Sequence, residues 1–419
     1  MERANAVTLR AATPPSPASG GGAGGEGILR AAATTRGMRI LEPHMFDTAS
    51  VLSEHNRMAL AFVRHGAGAI RNVATRMRLL DTGRHLFPVS INDGGEPPDN
   101  SYVVSPLTTY TGYADYEIGQ FGQAQGHPLL AWPLRLLVRG IGGWLQRAQI
   151  DRIVQVNNWL LSTNLYPPDW TGDDLPEITR LLVETCPDHA IGFRSLNRHS
   201  NAALIERLMA LGYIAIPSRQ VYLFDGHDGP ASTFLRRRDS RKDAKLLVGT
   251  AYIQVPGDAL EDADFPRIEH LYNQLYLDKY CPLNPQFSAD WLRAGQRDGW
   301  LKLTALRSPA GRIDAVLGWF ANEKILTTPV VGYDTALPQK LGLYRLIAQI
   351  SLEQAARRRG LLNMSAGAAD FKRQRGGQPE IEFSLVYVNH LPPARQRVWR
   401  WLGGLLHAVG VPIMRKFKL

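Results

Sequence analysis

A mixed α/β fold made of two similar segments is predicted by the order of apolar patterns along the chain. Residues 265–388 alternate between stretches with helical apolar spacing and short apolar runs typical of strands. Residues 150–224 show a related order, and turn-rich sequence separates the two segments. With 419 residues, 44% of them hydrophobic, the chain is long enough for two or three domains with buried cores.

The first segment is predicted to contain three strands and two helices. The first helix, residues 173–186, carries apolar residues at helical spacing: Leu175, Ile178, Leu181 and Leu182. The second helix ends before Gly212, a common helix terminator. The remaining predicted bounds are 197–211 for this second helix and 150–161, 190–196 and 213–224 for the strands.

The second segment is predicted to read helix, helix, three strands, helix, strand, helix, strand. Ser288 is a suitable N-cap for its second helix, and Gly360 a suitable C-terminal signal for its longest helix. The turns SPAG and ANEK separate the three consecutive strands. The predicted helices are 265–280, 288–297, 342–359 and 368–375, and the predicted strands are 300–306, 313–320, 325–333, 361–365 and 380–388.

Composition adds two terminal regions to this organisation. Residues 1–37 are rich in small residues and lack the apolar core of a signal peptide, so a disordered tail is predicted, with a cleaved targeting peptide as the alternative. The turn-rich sequence DGHDGP predicts a boundary between an N-terminal domain, 38–225, and a C-terminal domain, 226–392. Residues 393–419 are predicted to form a basic amphipathic helix.

The most informative motif is the turn between the strand 325–333 and the long helix. It reads Gln339-Lys340-Leu341-Gly342-Leu343-Tyr344, with the glycine where the helix begins. A helix start offers unpaired backbone N–H groups and the positive end of the helix dipole, and both suit a phosphate. A glycine there removes the Cβ that would hold the anion away from the backbone. The alternative is an ordinary helix start that contains a glycine.

This turn resembles the acyl-CoA pyrophosphate loop of the GNAT acyltransferases. The pattern of that loop is Gln or Arg, two residues, Gly, one residue, then Gly or Ala. The chain has Gln339 and Gly342 but carries Tyr344 at the last position. The element order of residues 265–388 is also the GNAT order, and two such segments in one chain resemble the FemAB-like branch and its cellulose-biosynthesis relatives. The resemblance is strongest over residues 230–392.

The resemblance implies an enzyme that transfers an acyl group directly from acyl-CoA to an amine, with O-acylation left open. The donor would be bound at residues 339–344, and the N-terminal segment would be a degenerate copy that shapes the acceptor cleft. Two parallel strands would separate, and their free backbone N–H groups would bind the donor and stabilise the oxyanion. No metal is implied, and no metal-type His/Cys spacing occurs in the sequence.

Three residues are the candidates for catalysis. Asp334 follows the strand beside the glycine turn and is the proposed general base, with a plain turn residue as the alternative. Lys372 matches the family position where a lysine follows the flanking strand; its alternative is a solvated helix face. Tyr387, like Tyr280, is a candidate proton donor to the departing thiolate, or else a core tyrosine. Glu382 would orient an amine if its strand face is the cleft, and otherwise be exposed.

Charge indicates anionic partners. The formal net charge is +10 and the isoelectric point about 9.7. A dense basic cluster suits a nucleotide phosphate, an anionic acceptor or a tRNA, unless it is a solvated helix face; its members are Arg236, Arg237, Arg238, Arg241, Lys242 and Lys245. Nucleic acid other than tRNA is not expected, because neither a zinc finger nor an aromatic stacking pattern is present.

Two amphipathic segments, 128–147 and 393–419, combine tryptophans with arginines and lysines. This composition suits an anionic membrane surface, whereas packing on the core or at a dimer contact is the alternative. No apolar run is long enough to predict a spanning helix. Cys186 and Cys281 lie far apart and do not indicate a disulfide framework, which favours a reducing, cytoplasmic location. The acceptor expected is a small-molecule or lipid-linked amine.

Two other functions remain open at this stage. One is a FemAB-like aminoacyl transferase that uses aminoacyl-tRNA, for which the basic cluster would bind the phosphates. The other, from a different class, is a non-catalytic, membrane-associated scaffold made of two inactive domains.

Overall fold

A single twelve-stranded mixed sheet runs through the described part of the chain, in the order β1-β2-β3-β4-β5-β12-β6-β11-β10-β9-β8-β7. The computed structural model describes residues 37–46, 53–124 and 128–417, so the tail predicted at 1–37 lies outside the described residues apart from its last residue. The strands are β1 Arg39–Leu41, β2 Arg76–Asp81, β3 Leu86–Asn92, β4 Ile153–Val156, β5 Ala190–Asn197, β6 Ile214–Asp225, β7 Ile253–Pro256, β8 Lys302–Arg307, β9 Ile313–Ala321, β10 Ile325–Tyr333, β11 Leu361–Asn363 and β12 Gln378–Tyr387.

Helices cover both faces of this sheet. They are α1 Glu54–His65, α2 Tyr113–Ala124, α3 Pro128–Arg147, α4 Leu175–Thr185, α5 Arg198–Ala210, α6 Arg238–Gly249, α7 Phe265–Asn273, α8 Ala289–Asp298, α9 Leu343–Arg357, α10 Ala369–Gln374, α11 Pro393–Leu405 and α12 Val411–Phe417. Ser53 and Ser288 accept backbone hydrogen bonds at the starts of α1 and α8, which confirms the predicted N-cap at Ser288.

The C-terminal half has the element order predicted for a GNAT fold. Helices α7 and α8 precede the antiparallel strands β8, β9 and β10, and then α9, β11, α10 and β12 follow. β11 pairs with β10 in parallel. The helix predicted over 265–280 is regular only to Asn273 and continues as a π-helical turn, Gln274–Tyr280.

The N-terminal half repeats the same sheet arrangement. β1 to β4 are antiparallel neighbours, and β5 pairs with β4 in parallel. β4 ends at Val156, whereas β5 continues to Asn197, so the parallel pairing covers only the first part of β5. The structure therefore contains two similar halves, as the sequence predicted, and adds β1, β2, β3, β7, α1 and α2, which were not predicted.

The two halves exchange their last strands. β12, which ends the C-terminal half, lies between β5 and β6, and β6 lies between β12 and β11. The β6–β12 ladder extends from the pair Leu223–Gln378 to the pair Ile214–Val386. As a result, each half of the sheet is completed by a strand from the other half.

A shared aromatic core joins the halves above the sheet. Phe62 of α1 packs against Trp159, with ring centroids 5.2 Å apart, and against Trp300, 5.6 Å apart. Trp159 also contacts Phe320 of β9, at 4.8 Å. Asn72 adds polar contacts across the halves, because its Nδ2 donates to backbone carbonyls of the 282–284 segment.

The strand exchange predicts that neither half folds alone. Fragments 37–225 and 226–419 should each be insoluble, because each leaves strand edges at the centre of the sheet unpaired. Co-expression of both fragments should give a soluble 1:1 complex, detectable by affinity capture through a tag on one fragment followed by size-exclusion chromatography. The uncut chain, purified in the same way, is the control. A soluble, monomeric fragment 226–419 with native circular dichroism would contradict the shared sheet.

Candidate active site

The two parallel strands of the C-terminal half separate, as the resemblance to the GNAT acyltransferases implied. β10 and β11 pair at only three positions, Ile325–Leu361, Leu326–Leu362 and Thr327–Asn363. Beyond them β10 continues to Tyr333, and an irregularity interrupts its pairing with β9 between Thr327 and Val330. This opening, the gap between β10 and β11 beyond Thr327, leaves backbone groups of β10 without a partner on β11.

The glycine turn stands at the end of this opening. After β10, residues Gln339–Leu341 form a 3₁₀ turn, and α9 begins directly after Gly342. Gln339 and Lys340 are exposed. The first amides of α9 and the dipole of a helix that spans Leu343–Arg357 therefore lie next to the opening.

Gly342 is required by local packing as well as by conformation. Its φ of 68° is left-handed, and a Cβ at this position would lie 2.6 Å from Cδ2 of Leu246. The glycine thus allows α6 to approach the start of α9. From the sequence, Gly342 was explained by the approach of an anion or by an ordinary helix start, and its contact with α6 was not predicted.

An aromatic layer covers the mouth of the opening. The ring of Tyr344 lies 6.0 Å from that of Tyr333, at the end of β10, and 4.7 Å from that of Phe371 in α10, which follows β11. Lys279, from the π-helical turn, hydrogen-bonds the hydroxyl of Tyr333 at 3.3 Å. Because Tyr344 contacts residues on both sides of the opening, a donor that enters between the strands has to move this ring.

Asp334 is placed in an ion-pair network at the end of β10. Its carboxylate accepts a hydrogen bond of 2.7 Å from Nη2 of Arg267 and another of 3.0 Å from the backbone N–H of Ala336. Burial acts to raise the pKa of Asp334, but the hydrogen bonds and the charges of Arg267 and Arg312 bring it below its ordinary value. A lower pKa weakens a general base, so these contacts favour the alternative of a turn-stabilising residue.

Lys372 is buried and holds one wall of the opening. Its Nζ donates to the carbonyls of Met364, Ser365 and Ala366, at 2.7, 3.2 and 2.8 Å. Burial, with a contribution from the charge of Arg219, lowers the pKa of Lys372 to about 7. The alternative of a solvated helix face is therefore wrong, because only 3% of this residue is exposed. The ammonium fixes the backbone segment that follows β11.

The two candidate tyrosines lie in different places. Tyr387 pairs with Ile191 of β5 and packs against Tyr213, with ring centroids 5.2 Å apart, in the core of the N-terminal half. Tyr280 is 41% exposed and ends the π-helical turn beside Lys279, whose Nζ lies 5.9 Å from the ring centroids of both Tyr280 and Tyr333. The structure therefore brings Tyr280, and not Tyr387, to the mouth of the opening.

A buried polar cluster beside the opening includes Glu382. The carboxylate of Glu382 is 1% exposed and accepts hydrogen bonds from Nε of Arg219 at 2.8 Å and from Nδ2 of Asn363 at 3.1 Å. Asn363 is the last residue of β11, so the cluster adjoins the point where the strands separate. The sequence reading missed Arg219 and Arg194, although an arginine within each apolar strand pattern was a usable signal.

The predicted basic cluster lies on and just before α6, next to the glycine turn. Its members are exposed: Arg236, Arg237, Arg238, Arg241, Lys242 and Lys245. The helix is attached through Asp243, which is buried and accepts hydrogen bonds of 2.6 Å from Nε of Arg345 in α9 and from Nε of Arg375. The cationic face of α6 is thereby positioned against the start of α9.

The described residues contain neither a candidate metal site nor a candidate membrane span. Among them, no group of three or more His, Cys, Asp or Glu side chains is arranged to hold a metal ion. In the same part of the chain, no helix has the length and apolar character needed to cross a bilayer.

Comparison with known proteins identifies similar folds only. Neither a protein-family model nor a curated protein matches the sequence. Among solved structures, the C-terminal domain of a putative lysylphosphatidylglycerol synthetase from Agrobacterium fabrum aligns with a TM-score of 0.39 and 15% identity, covering 56% of this chain and 78% of that one. FemX aligns with a TM-score of 0.40 and 8% identity over 50% of this chain and 75% of its own. A tandem GNAT protein from the clavulanic acid biosynthesis pathway aligns with a TM-score of 0.36 and 10% identity over 79% and 87%.

Replacing Asp334 tests whether it stabilises the turn or acts as a base. Asp334→Asn should lower the free energy of unfolding at pH 7 by about 1–3 kcal/mol, because Arg267 loses the nearer of its two carboxylate partners and keeps Asp314 at 3.7 Å. A carboxyl whose pKa is lowered on folding contributes stability above its unfolded pKa, near 3.8, and loses it as the pH falls through the lower folded value. The difference between variant and wild type should therefore shrink below pH 4 in urea titrations.

Asp99→Asn, at an exposed position, is the matched control and should change the unfolding free energy little. A fall in turnover far larger than the loss of folded protein, with an unchanged unfolding curve, would instead assign Asp334 to proton transfer.

Proposed function

We propose that the protein transfers an acyl group directly from an activated donor to an amine. The observation that carries this proposal is the separation of β10 from β11 next to the start of α9. An extended thioester arm can hydrogen-bond to the unpaired backbone groups of β10, while the first amides of α9 suit the phosphates of the same donor. The donor favoured by this arrangement is acyl-CoA.

The described residues around the opening supply the remaining chemistry. Unpaired N–H groups of β10 would stabilise the oxyanion that forms when the amine attacks the thioester carbonyl. Lys372 holds the wall that follows β11, and Glu382, fixed by Arg219 and Asn363, lies where it would orient an amine. Tyr280, at the mouth, would protonate the departing thiolate, and its phenolate would then take the proton that the attacking amine loses. Such a direct transfer requires no covalent enzyme intermediate.

The ring of Tyr344, which covers the opening, provides a test of donor binding. Tyr344→Ala should increase the affinity for CoA thioesters several-fold, because it removes the ring that contacts both sides of the opening. Tyr344→Phe keeps the ring and is the matched control, expected to bind as the wild type does. Calorimetry and thermal shift with acetyl-CoA and longer thioesters measure the difference, because a ligand that binds the native state raises its melting temperature.

Product formation from a bound thioester and a panel of amines completes the test. If neither the wild type nor Tyr344→Ala is stabilised by any thioester, the opening does not bind acyl-CoA. If a thioester binds but no amine is acylated, the transferase proposal fails while the donor site stands.

The exposed cations of α6 favour a second donor, aminoacyl-tRNA. They adjoin the glycine turn through the contact of Leu246 with Gly342, and a row of cations beside a donor site suits a phosphate backbone. Arg237, Arg241 and Lys245 lie at helical i, i+4 spacing. Replacing these three with glutamine should weaken tRNA binding and reduce the slope of log affinity against log salt by roughly 2–3, while leaving thioester binding unchanged.

A wild-type protein that binds neither thioesters nor aminoacyl-tRNA, yet remains folded, would support the non-catalytic scaffold. Salt-insensitive tRNA binding would argue against the phosphate contacts of α6. Transfer of an amino acid from charged tRNA to an amine would replace acyl-CoA with aminoacyl-tRNA as the donor.

A further inference from the structure

Positive charge exceeds negative charge in the buried cluster at the centre of the sheet. The positive charge of Arg219, in β6, lowers the pKa of Arg194 in β5 and the pKa of Lys372 in α10. Glu382 pairs with Arg219 at 2.8 Å. Within the described residues, neither Arg194 nor Lys372 lies within ion-pair distance of a carboxylate.

Arg194 and Lys372, the two cations without a carboxylate partner, differ in how many of their N–H groups donate hydrogen bonds. The three hydrogens of the Lys372 ammonium are matched by three backbone carbonyls. Among the described residues, Arg194 donates only through Nη1, to the carbonyl of Val103 at 2.8 Å and to Oδ1 of Asn158 at 3.1 Å. Burial lowers the pKa of Arg194 to about 10. The residue is half-buried, and its Nε and Nη2 are left to bind an anion placed beside them.

Arg194 lines a cavity of about 20 Å³. Gln155, Tyr110, Ser384 and Trp399 also line it. Tyr102 lines the cavity as well: burial raises its pKa, whereas the charges of Arg219 and Arg194 act to lower it, so its hydroxyl faces both arginines. The cavity therefore lies on the side of the Arg219–Glu382 pair that faces the N-terminal half of the sheet. The opening lies on the side that faces the C-terminal half.

We propose that this cavity binds the carboxylate of the amine acceptor through Nε and Nη2 of Arg194. This inference rests on the proposed function, because it treats the bound molecule as the acceptor. A planar carboxylate matches the guanidinium fork, and it adds one negative charge to a cluster that has an excess of positive charge. The acceptor class is thus an amine that also carries a carboxylate, such as an amino acid or a peptide end.

Binding of matched pairs of amines tests the carboxylate site without a donor. Amino acids and the corresponding amino-acid amides share the amine and the side chain and differ in the carboxylate. We expect several amino acids to raise the melting temperature of the wild type and their amides to leave it unchanged. Arg194→Gln should abolish the difference, and Arg194→Lys, which keeps the charge but loses the fork, should weaken binding about tenfold.

Arg198→Gln, at an exposed position close to Arg194 in sequence, is the matched control and should bind as the wild type does. If Arg194→Gln does not fold, two experiments still test the carboxylate site. One is the Ser384→Ala variant, which alters the cavity wall, and the other is the comparison of acids with amides on the wild type. Equal stabilisation by acids and amides, or by neither, would overturn the site. Thioester binding without a preference for carboxylates would refute this inference alone, whereas carboxylate binding without thioester binding would refute the proposed function alone.

A separate observation concerns the outer surface of α3 and α11. Trp132, Leu136 and Trp144 of α3, Trp401 of α11 and Val409, in the π-helical turn after α11, are between 38% and 63% exposed. Trp144 and Trp401 contact each other edge to face, with ring centroids 4.7 Å apart, so the two helices present one apolar surface, called here the tryptophan surface. The opposite side of α11 is already buried through Trp399 and Leu402. Packing on the core therefore accounts for the inner side of α11 and leaves the tryptophan surface uncovered in the chain as described.

Exposed arginines border the tryptophan surface: Arg139, Arg147, Arg397 and Arg400. Tryptophans accumulate at the boundary between headgroups and acyl chains, and arginines are attracted to anionic headgroups. We infer that the tryptophan surface docks on an anionic lipid bilayer, as a peripheral contact with no spanning segment.

Vesicle co-sedimentation tests this docking surface. The protein should bind vesicles that contain phosphatidylglycerol more strongly than vesicles of phosphatidylcholine alone, and high salt should weaken the binding. Replacing Trp144 and Trp401 together with serine should reduce the bound fraction at least fivefold, while Val248→Ser, at an exposed apolar residue on α6, should have no effect. Unchanged binding of the double variant would refute the inference. Self-association in solution that the double variant abolishes would assign the surface to a second copy of the chain.

Discussion

The antiparallel ladder between β6 and β12 is the constraint on which the rest of the structure depends. It places the last strand of each half inside the other half and so joins two similar units into one sheet. Because β11 pairs with β6 and not with β12, the wall of the opening in the C-terminal half is anchored to a strand of the N-terminal half. The geometry of the candidate donor site is therefore set by long-range pairing, and changes in the N-terminal half would be felt there.

The same ladder explains why charge is buried at the centre. Its register sets Arg219 directly opposite Glu382, and Glu382 is in turn opposite Asn197 of β5. Asn363, at the end of β11, reaches the carboxylate from the other side. A buried ion pair does not by itself stabilise a protein relative to apolar residues of the same shape. Its position at the junction of both halves, next to two further cations, is more consistent with a site than with a device for stability.

Most of the C-terminal half followed from local sequence, because its helices and strands carry strong periodic patterns bounded by turn residues. The first strands of the N-terminal half did not, because β2 carries Arg76 and Arg78 and β3 contains Pro88, both of which weaken a strand pattern. The site was predicted less completely. Gln339 to Gly342 was recognised because a helix start has a local signature, whereas the partners of Asp334 and Lys372 depend on Arg267 and on carbonyls brought near by the fold. Tyr387 lies in the core of the N-terminal half because β12 is exchanged between the halves, which no local pattern indicates.

The opening and the cavity together suggest how one sheet could bring two substrates together. The Arg219–Glu382 pair lies between the two parallel pairs of the sheet, β4 with β5 and β10 with β11. Under the proposed function, a donor in the opening between β10 and β11 and an acceptor in the cavity beside β5 would meet at Glu382. The carboxylate of Glu382 is already held by the side chains of Arg219, Asn363 and Thr163. The N-terminal half would then provide the acceptor site even though it lacks the glycine turn of the C-terminal half. Duplication of the fold followed by strand exchange is a physical route to that division of roles, because it makes both sites neighbours in one continuous sheet.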